Sequence, residues 1–206
     1  MKGVLGEGEE EGLIFVVSAP AGTGKTTLVQ KLMKEFPSVI ASISYTTRPP
    51  RDGEINGVHY HFISEPEFQE KILASDFLEY VKLYETYYGT SLQWVKGQQR
   101  LGKHVVLVID TQGAMQLKNR LQAIYIFIKP PSIDSLRKRL TDRQTETQEM
   151  IEKRLEWAEN ELKVVENYDY QIVNDDLETA YQILRSIFIA ECHRTNRIMH
   201  SKEINE

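Results

Sequence analysis

The run Leu13-Ile14-Phe15-Val16-Val17-Ser18-Ala19-Pro20-Ala21-Gly22-Thr23-Gly24-Lys25-Thr26-Thr27 decides how the rest of the chain is read. Its first six residues are apolar and β-branched without polar alternation, which predicts a central strand covered on both faces. From Lys25 onward, Leu28, Leu32, Met33 and Phe36 follow helical spacing, and Pro37 ends the pattern. The tight turn between strand and helix fits the phosphate-binding pattern G-x-x-x-x-G-K-S/T at every position but the first, where Ala19 replaces glycine. In that setting the free N–H groups and the positive end of the helix hold phosphates. Lys25 reaches the outer oxygens, and the Thr26 hydroxyl can ligand Mg²⁺. Gly22 and Gly24 let the backbone approach an anion closely. The plain alternative is a glycine-rich turn that only connects two elements.

Outward from this unit the same alternation recurs. Residues 105–110 read as a second buried strand, 114–117 as a short helix and 124–128 as a third buried strand, and Ser132 caps a helix reaching residue 140. A long helix over 149–165, a brief strand at 171–174 and a closing helix over 177–192 complete the pattern. Strands separated by helices predict an α/β fold with a mostly parallel sheet and helices on both faces. Residues from about 44 to 101 break the rhythm. A turn-rich loop, a short strand at 60–63, a helix at 67–74 and an alternating strand at 77–83 predict an inserted α+β lobe. Residues 1–12, with four Gly and four Glu, predict a tail that buries nothing.

The 206 residues suit one large domain or a core with inserted lobes, and 41% apolar residues suit a globular chain. Twenty-five Lys and Arg against 30 Asp and Glu give −5, which argues against a broad nucleic-acid-binding face, so any phosphate site is local. The single cysteine, Cys192, fits a reducing cytoplasm, and no apolar run is long enough to span a bilayer. No nucleic acid or membrane partner is expected. The five histidines show no metal-ligand spacing.

Asp110 stands at the carboxyl end of the second strand, where a carboxylate can hold Mg²⁺ through water; a helix N-cap is the alternative. Arg48 and Arg51 lie three residues apart in a proline-stiffened stretch suited to a phosphate monoester, although paired arginines are often only solvated surface. Tyr60, Tyr87, Tyr88 and Thr90 are hydroxyl donors for the same anion or half-buried packing groups. Glu79 either faces inward, where its carboxylate would accept from a base with adjacent N–H and NH₂ groups, or lies on the solvent side of an alternating strand. Arginines and lysines bracket the polar stretch 141–149, which reads as a closing lid or as exposed helix with i,i+4 ion pairs.

Taken in order, the phosphate loop, the S-x-x-x-R-P-x-R-x-G-E run from Ser44 to Glu54, Phe77-Leu78-Glu79, Tyr87-Tyr88-Gly89-Thr90, Ile109-Asp110-x-Gln112-Gly113 and Ile172-Val173-Asn174-Asp175-Asp176 resemble the guanylate kinase family of bacterial type. The resemblance runs over residues 13–194. It implies transfer of the ATP γ-phosphoryl group to GMP, and to dGMP, in purine metabolism, with Mg²⁺ accompanying ATP. It implies a phosphate-loop core over 13–43 and 91–194, a GMP-binding lobe at 44–90, a helical lid at 137–154 and tails at 1–12 and 195–206.

By the same resemblance, Ala19, Pro20, Ala21, Gly22, Thr23, Gly24, Lys25, Thr26, Thr27 and Asn174 would bind ATP, Asn174 at the adenine. Ser44, Arg48, Arg51, Glu54, Tyr60, Glu79, Tyr88, Thr90 and Asp110 would bind GMP. Lys25, Arg48, Arg139, Arg143 and Arg154 would act in catalysis, and Thr26 and Asp110, the latter through water, would hold the metal. The acceptor phosphate is largely dianionic near neutrality, so no general base is required. The chain departs from the family's pattern at Ala19, at Val108 where a first Asp is usual, and at Gln144 where Gly is usual. A non-catalytic guanylate-kinase-like interaction domain is the rival reading, but such domains typically lose the loop lysine and the lid arginines that this chain keeps.

Overall fold

A computed structural model describes residues 11–83, 85–142 and 147–195. Arg143 and Gln144, and the tails apart from Glu11, Gly12 and Thr195, lie outside the described residues.

The chain opens with strand β1 (Ile14–Ser18), helix α1 (Lys25–Glu35) and strand β2 (Val39–Ala41). Strands β3 (Tyr45–Thr46) and β4 (His61–Phe62), helix α2 (Glu65–Leu73) and strands β5 (Phe77–Leu83) and β6 (Thr86–Ser91) follow. Helix α3 (Leu92–Arg100) leads back to β7 (His104–Val108), α4 (Thr111–Leu117), β8 (Ile124–Lys129), α5 (Ile133–Asp142), α6 (Gln148–Leu162), β9 (Tyr170–Val173) and α7 (Leu177–Cys192).

The main sheet has the order β2-β7-β1-β8-β9, and every pairing in it is parallel. All five residues of β1 are buried, as a strand flanked by strands and covered on both faces must be. Its alternation divides the core. Phe15 and Val17 pack with Leu28, Leu32 and Leu184 from α1 and α7, whereas Ile14 and Val16 pack with Val95, Ala114 and Leu117 from α3 and α4. Leu136 and Leu140 of α5 and Ile151, Leu155 and Ala158 of α6 form a third cluster. The helix pair bracketing the polar stretch therefore carries its own small core.

Residues 45–91 make a second, mixed sheet of order β4-β3-β6-β5. Its interior is aromatic. Fully buried Phe68 of α2 stacks on Phe77 at 4.4 Å and on Tyr87 at 5.2 Å. Ser64 and Glu67 close a reciprocal cap at the start of α2.

Several elements differ from the sequence reading. The second buried strand ends at Val108 instead of 110, because Asp110 turns to cap α4. The helix expected to reach 165 ends at Leu162, followed by a 3-10 turn at Val165–Asn167. Strands β2, β3 and β6 and helix α3 were not anticipated. Gly12, assigned to the tail, is held in the fold. Its N–H donates to Gln99 O at 2.9 Å and its carbonyl accepts from Gln99 Nε2 at 2.7 Å.

Candidate active site

The phosphate loop leaves β1 at Ser18 and enters α1 at Lys25. Thr23 is fully buried, and both its N–H and its hydroxyl donate to Pro20 O, at 3.3 and 2.8 Å. Gly22 and Gly24 have φ of +91° and +89°, the left-handed region that a side chain disfavours. Ala19 keeps a negative φ and is buried in the core, so the absent first glycine leaves no strain. No side chain caps α1 and no acidic residue sits in its first turn, which leaves its N-terminal N–H groups for an anion.

Lys25 lies across the ends of β1 and β7, donating from Nζ to Ala19 O at 3.2 Å and to Ile109 O at 3.3 Å. Burial lowers its pKa, and the carboxylates of Glu161 and Asp110 oppose that shift. Of its two sequence readings, Asp110 takes the helix N-cap. Oδ1 caps α4 by accepting from Gly113 N at 2.7 Å, whereas Oδ2 is buried and accepts no hydrogen bond from the described residues. Burial raises the carboxyl of Asp110. An oxygen of this kind in one cleft with exposed Thr26 is a donor set that fits hydrated Mg²⁺.

Glu79 points inward. It is 4% exposed, pairs in register with Thr90 across β5 and β6, and accepts from Thr90 Oγ1 at 2.6 Å. Burial, aided by Asp110, pushes its carboxyl up to about 7. Its neighbour Tyr80 takes the outward position of the strand. Arg48 makes a two-point ion pair with Glu54, Nη1 to Oε2 at 2.8 Å and Nη2 to Oε1 at 2.9 Å. It lies 5.3 Å from the Tyr60 ring centroid. Arg48 and the Arg51 backbone N–H hold Glu54 at about 2. Glu54 therefore orients the arginine and turns both its oxygens to protein donors.

One cleft of about 310 Å³ gathers Ala21, Lys25 and Thr26 on the core side and Ser44, Arg48, Arg51, Tyr60, Glu79 and Tyr88 on the side of the second sheet, with Asp110 and Arg154 between them. The volume is at the lower end for small-molecule sites. A cavity of 350 Å³ between α4 and α6 is larger, but Glu161 is the only charged group on its walls. Arg139 lies elsewhere, donating from Nη2 to Asn174 O at 2.9 Å and to Asp175 O at 3.4 Å. Asn174 is 4% exposed, and its amide donates to Thr23 O at 2.6 Å. Of the i,i+4 ion pairs expected around the polar stretch, Lys153–Glu149 is present, whereas exposed Arg137 of α5 pairs with Glu152 of α6.

Glu161 was not anticipated. It is 6% exposed, accepts from Thr111 Oγ1 at 3.3 Å, and shares a 190 Å³ recess with Lys25, Asp110 and Arg154. Burial pushes it to about 7, against the pull of Lys25. The signal was present: Ile151, Leu155, Ala158 and Glu161 are spaced i, i+4, i+7, i+10, which puts a carboxylate on the buried stripe of α6.

Compared with known proteins, residues 12–191 match the family model described as guanylate kinase. The chain belongs to the guanylate kinase family. It is 64% identical over 194 residues to the guanylate kinase of Protochlamydia amoebophila, covering 94% of this chain and 98% of that one. Identity to the guanylate kinase of Chlamydia muridarum is 50% over 182 residues, 88% and 89% of the two chains. The crystal structure of guanylate kinase from Anaplasma phagocytophilum superposes with a TM-score of 0.76 at 31% identity, covering 91% of this chain and 89% of that one. The fold class expected from the strand–loop–helix opening is the one this family has.

Proposed function

We propose that this guanylate kinase uses the cleft between its two sheets to bring ATP and GMP together and move the γ-phosphoryl group of ATP to GMP, giving ADP and GDP. An oxygen of the GMP phosphate attacks the γ-phosphorus, and the bond to the bridging oxygen of the β-phosphate breaks. The phosphate loop, with Lys25, holds the ATP phosphates. Arg48, Arg51, Tyr60 and Tyr88 hold the acceptor phosphate, with Glu54 keeping Arg48 aimed. Ser44, Glu79 and Thr90 read the guanine. Arg154 reaches the cleft from α6, and Arg139 and Arg143 belong to the lid region. Bound between Thr26 and water on Asp110, Mg²⁺ would neutralise the transferring phosphates.

The observation that carries this reading is the buried carboxylate of Glu79 in the same cleft as Lys25. Guanine presents N1–H and 2-NH₂, two donors side by side, to a carboxylate. Adenine presents an N1 acceptor there and would leave the buried oxygens unpaired. The reacting phosphate brings its own charge, so the protein need only position, neutralise and exclude water. dGMP is the further acceptor we propose, and the cytoplasm the place of work. Among the described residues no helix is long and apolar enough to cross a membrane.

The test is ADP release with Mg²⁺, ATP and either GMP or AMP. GMP should exceed AMP by at least about 100-fold in kcat/KM. Equal rates, or none with GMP, would overturn the assignment.

A further inference from the structure

We propose that Asn174 is a positioning residue for the phosphate loop, its side-chain amide fixing the Thr23–Gly24 peptide that faces the phosphates of ATP. The inference rests on the phosphate loop being the ATP site, and it assigns Asn174 a part separate from any contact with the base.

Asn174 is the residue after β9, and its own N–H donates to Lys129 O at 2.9 Å, so its backbone is fastened to the edge of the main sheet. From that fixed point Nδ2 donates to Thr23 O at 2.6 Å, in a buried bond spanning 151 residues of sequence. Thr23 uses its N–H and hydroxyl locally on Pro20 O, so the bond from Asn174 is what ties this turn to the far side of the sheet. A Cβ on Gly24 would stand 2.6 Å from the same Nδ2, which shows how closely the amide lies against the loop.

The consequence follows from peptide geometry. The Thr23 carbonyl and the Gly24 N–H belong to one planar unit, trans here, so they point in opposite directions. An amide that holds the carbonyl toward β9 therefore holds the Gly24 N–H toward the concave side of the loop. An anion seated there meets a donor that needs no reorientation. Asn174 also joins this turn to the lid region, because its carbonyl accepts from Arg139 of α5. Most of the surface of Asn174 and one of its amide hydrogens are thus already engaged within the protein.

Inorganic tripolyphosphate, which carries no base or sugar, separates the two roles. Binding of Mg²⁺-tripolyphosphate, of Mg²⁺-ATP and of GMP is measured by calorimetry on the full-length wild type and on the Asn174→Ala and Asn174→Asp variants, with circular dichroism to check the fold. In Asn174→Ala, tripolyphosphate and ATP should both weaken by the same factor, about 5–30-fold, as expected for a buried carbonyl left unpaired, with GMP binding unchanged. Asn174→Asp, which sets an acceptor against the Thr23 carbonyl, should weaken both at least as much. It also serves as the test should the alanine variant fail to fold. Weakened ATP binding with unchanged tripolyphosphate binding would overturn the proposal and assign Asn174 to the base, as would unchanged binding of both. The tripolyphosphate arm needs no acceptor, so a wild type that fails to phosphorylate GMP would count against the kinase reading and leave this inference standing.

Discussion

Replacing Glu79 with glutamine separates what this carboxylate would do for the substrate from what its burial costs the fold. In the folded chain burial holds the carboxyl at about 7, against an ordinary value of 4.5. Between those two pH values the folded state binds a proton that the unfolded chain has released. The stability tied to this group is therefore fully present below about pH 4.5 and is lost as pH rises through 7. The difference amounts to about 3 kcal/mol above pH 7. Glutamine keeps the shape and keeps an oxygen for Thr90 Oγ1, but it carries no charge to desolvate. Asp110 and Glu161, also raised by burial, titrate in both proteins and largely cancel in the comparison.

Glu79→Gln should accordingly be more stable than wild type by about 2–3 kcal/mol at pH 8, or about 5–10 °C in Tm for a chain of this size. At pH 5 the advantage should shrink below about 1 kcal/mol. On the proposed reading the same variant loses the anion that would pair with the guanine donors, and its KM for GMP should rise about 10–100-fold at pH 8 with the KM for ATP nearly unchanged. Thermal denaturation by circular dichroism at both pH values, without nucleotide, is the assay. A Tm difference equal at pH 5 and pH 8, or a variant less stable than wild type at pH 8, would refute the reasoning that charge burial is what raises this group.

Four further substitutions have expected outcomes. Gly24→Ala combines a left-handed φ of +89° with a Cβ 2.6 Å from Asn174 Nδ2, and kcat/KM for ATP should fall about 100-fold; steady-state rates within threefold of wild type would contradict it. Arg48→Lys replaces a two-point pairing group with a point charge and should raise the KM for GMP about 10–100-fold, while Glu54→Gln, which only loosens the arginine, should raise it several-fold, both read from initial rates. Phe68→Ala removes the fully buried ring between Phe77 and Tyr87 and should lower stability by about 3–5 kcal/mol in urea denaturation; a cost under 1 kcal/mol would show that the second sheet does not depend on its aromatic stack.

Where an element's own residues determine it, the sequence announced it. The closing helix has the bounds read from its apolar spacing, and β5 has the bounds read from its alternation. The phosphate loop is local too, since glycines, lysine and the strand before them lie within a dozen residues. What escaped depends on neighbours far along the chain. Helix α3 buries only Val95, has Gly97 in its middle, and is defined by a cap from Ser91 and by packing on the sheet. Glu54, which the resemblance carries as a GMP contact, gives no local sign that both its oxygens pair with Arg48. Glu161 resembles the other glutamates of α6 until the core closes on one face of that helix. The parallel order of the main sheet follows from the alternation of strands and helices, but the adjacency of Asn174 to Thr23 is a product of that order and of no local pattern.

The charges of the cleft are themselves informative about its ligands. Burial has raised Glu79, Asp110 and Glu161 and lowered Lys25, so every one of these groups is held where its charged form is disfavoured. A fold selected for stability alone would not gather them. Each shift is relieved by a different partner: Glu79 by a pair of donors, Asp110 by a hydrated cation, Lys25 by an anion. On the proposed reading, guanine, Mg²⁺ and the ATP phosphates are those partners. They also relieve one another, because the metal and Lys25 screen the two phosphate groups that must meet. Binding should then be cooperative in its electrostatics, with the unfavourable charge placement within the protein converted into affinity only when both nucleotides are present. The net charge of −5 is no obstacle to such ligands, because the attraction is set by a few buried groups whose fields water screens weakly.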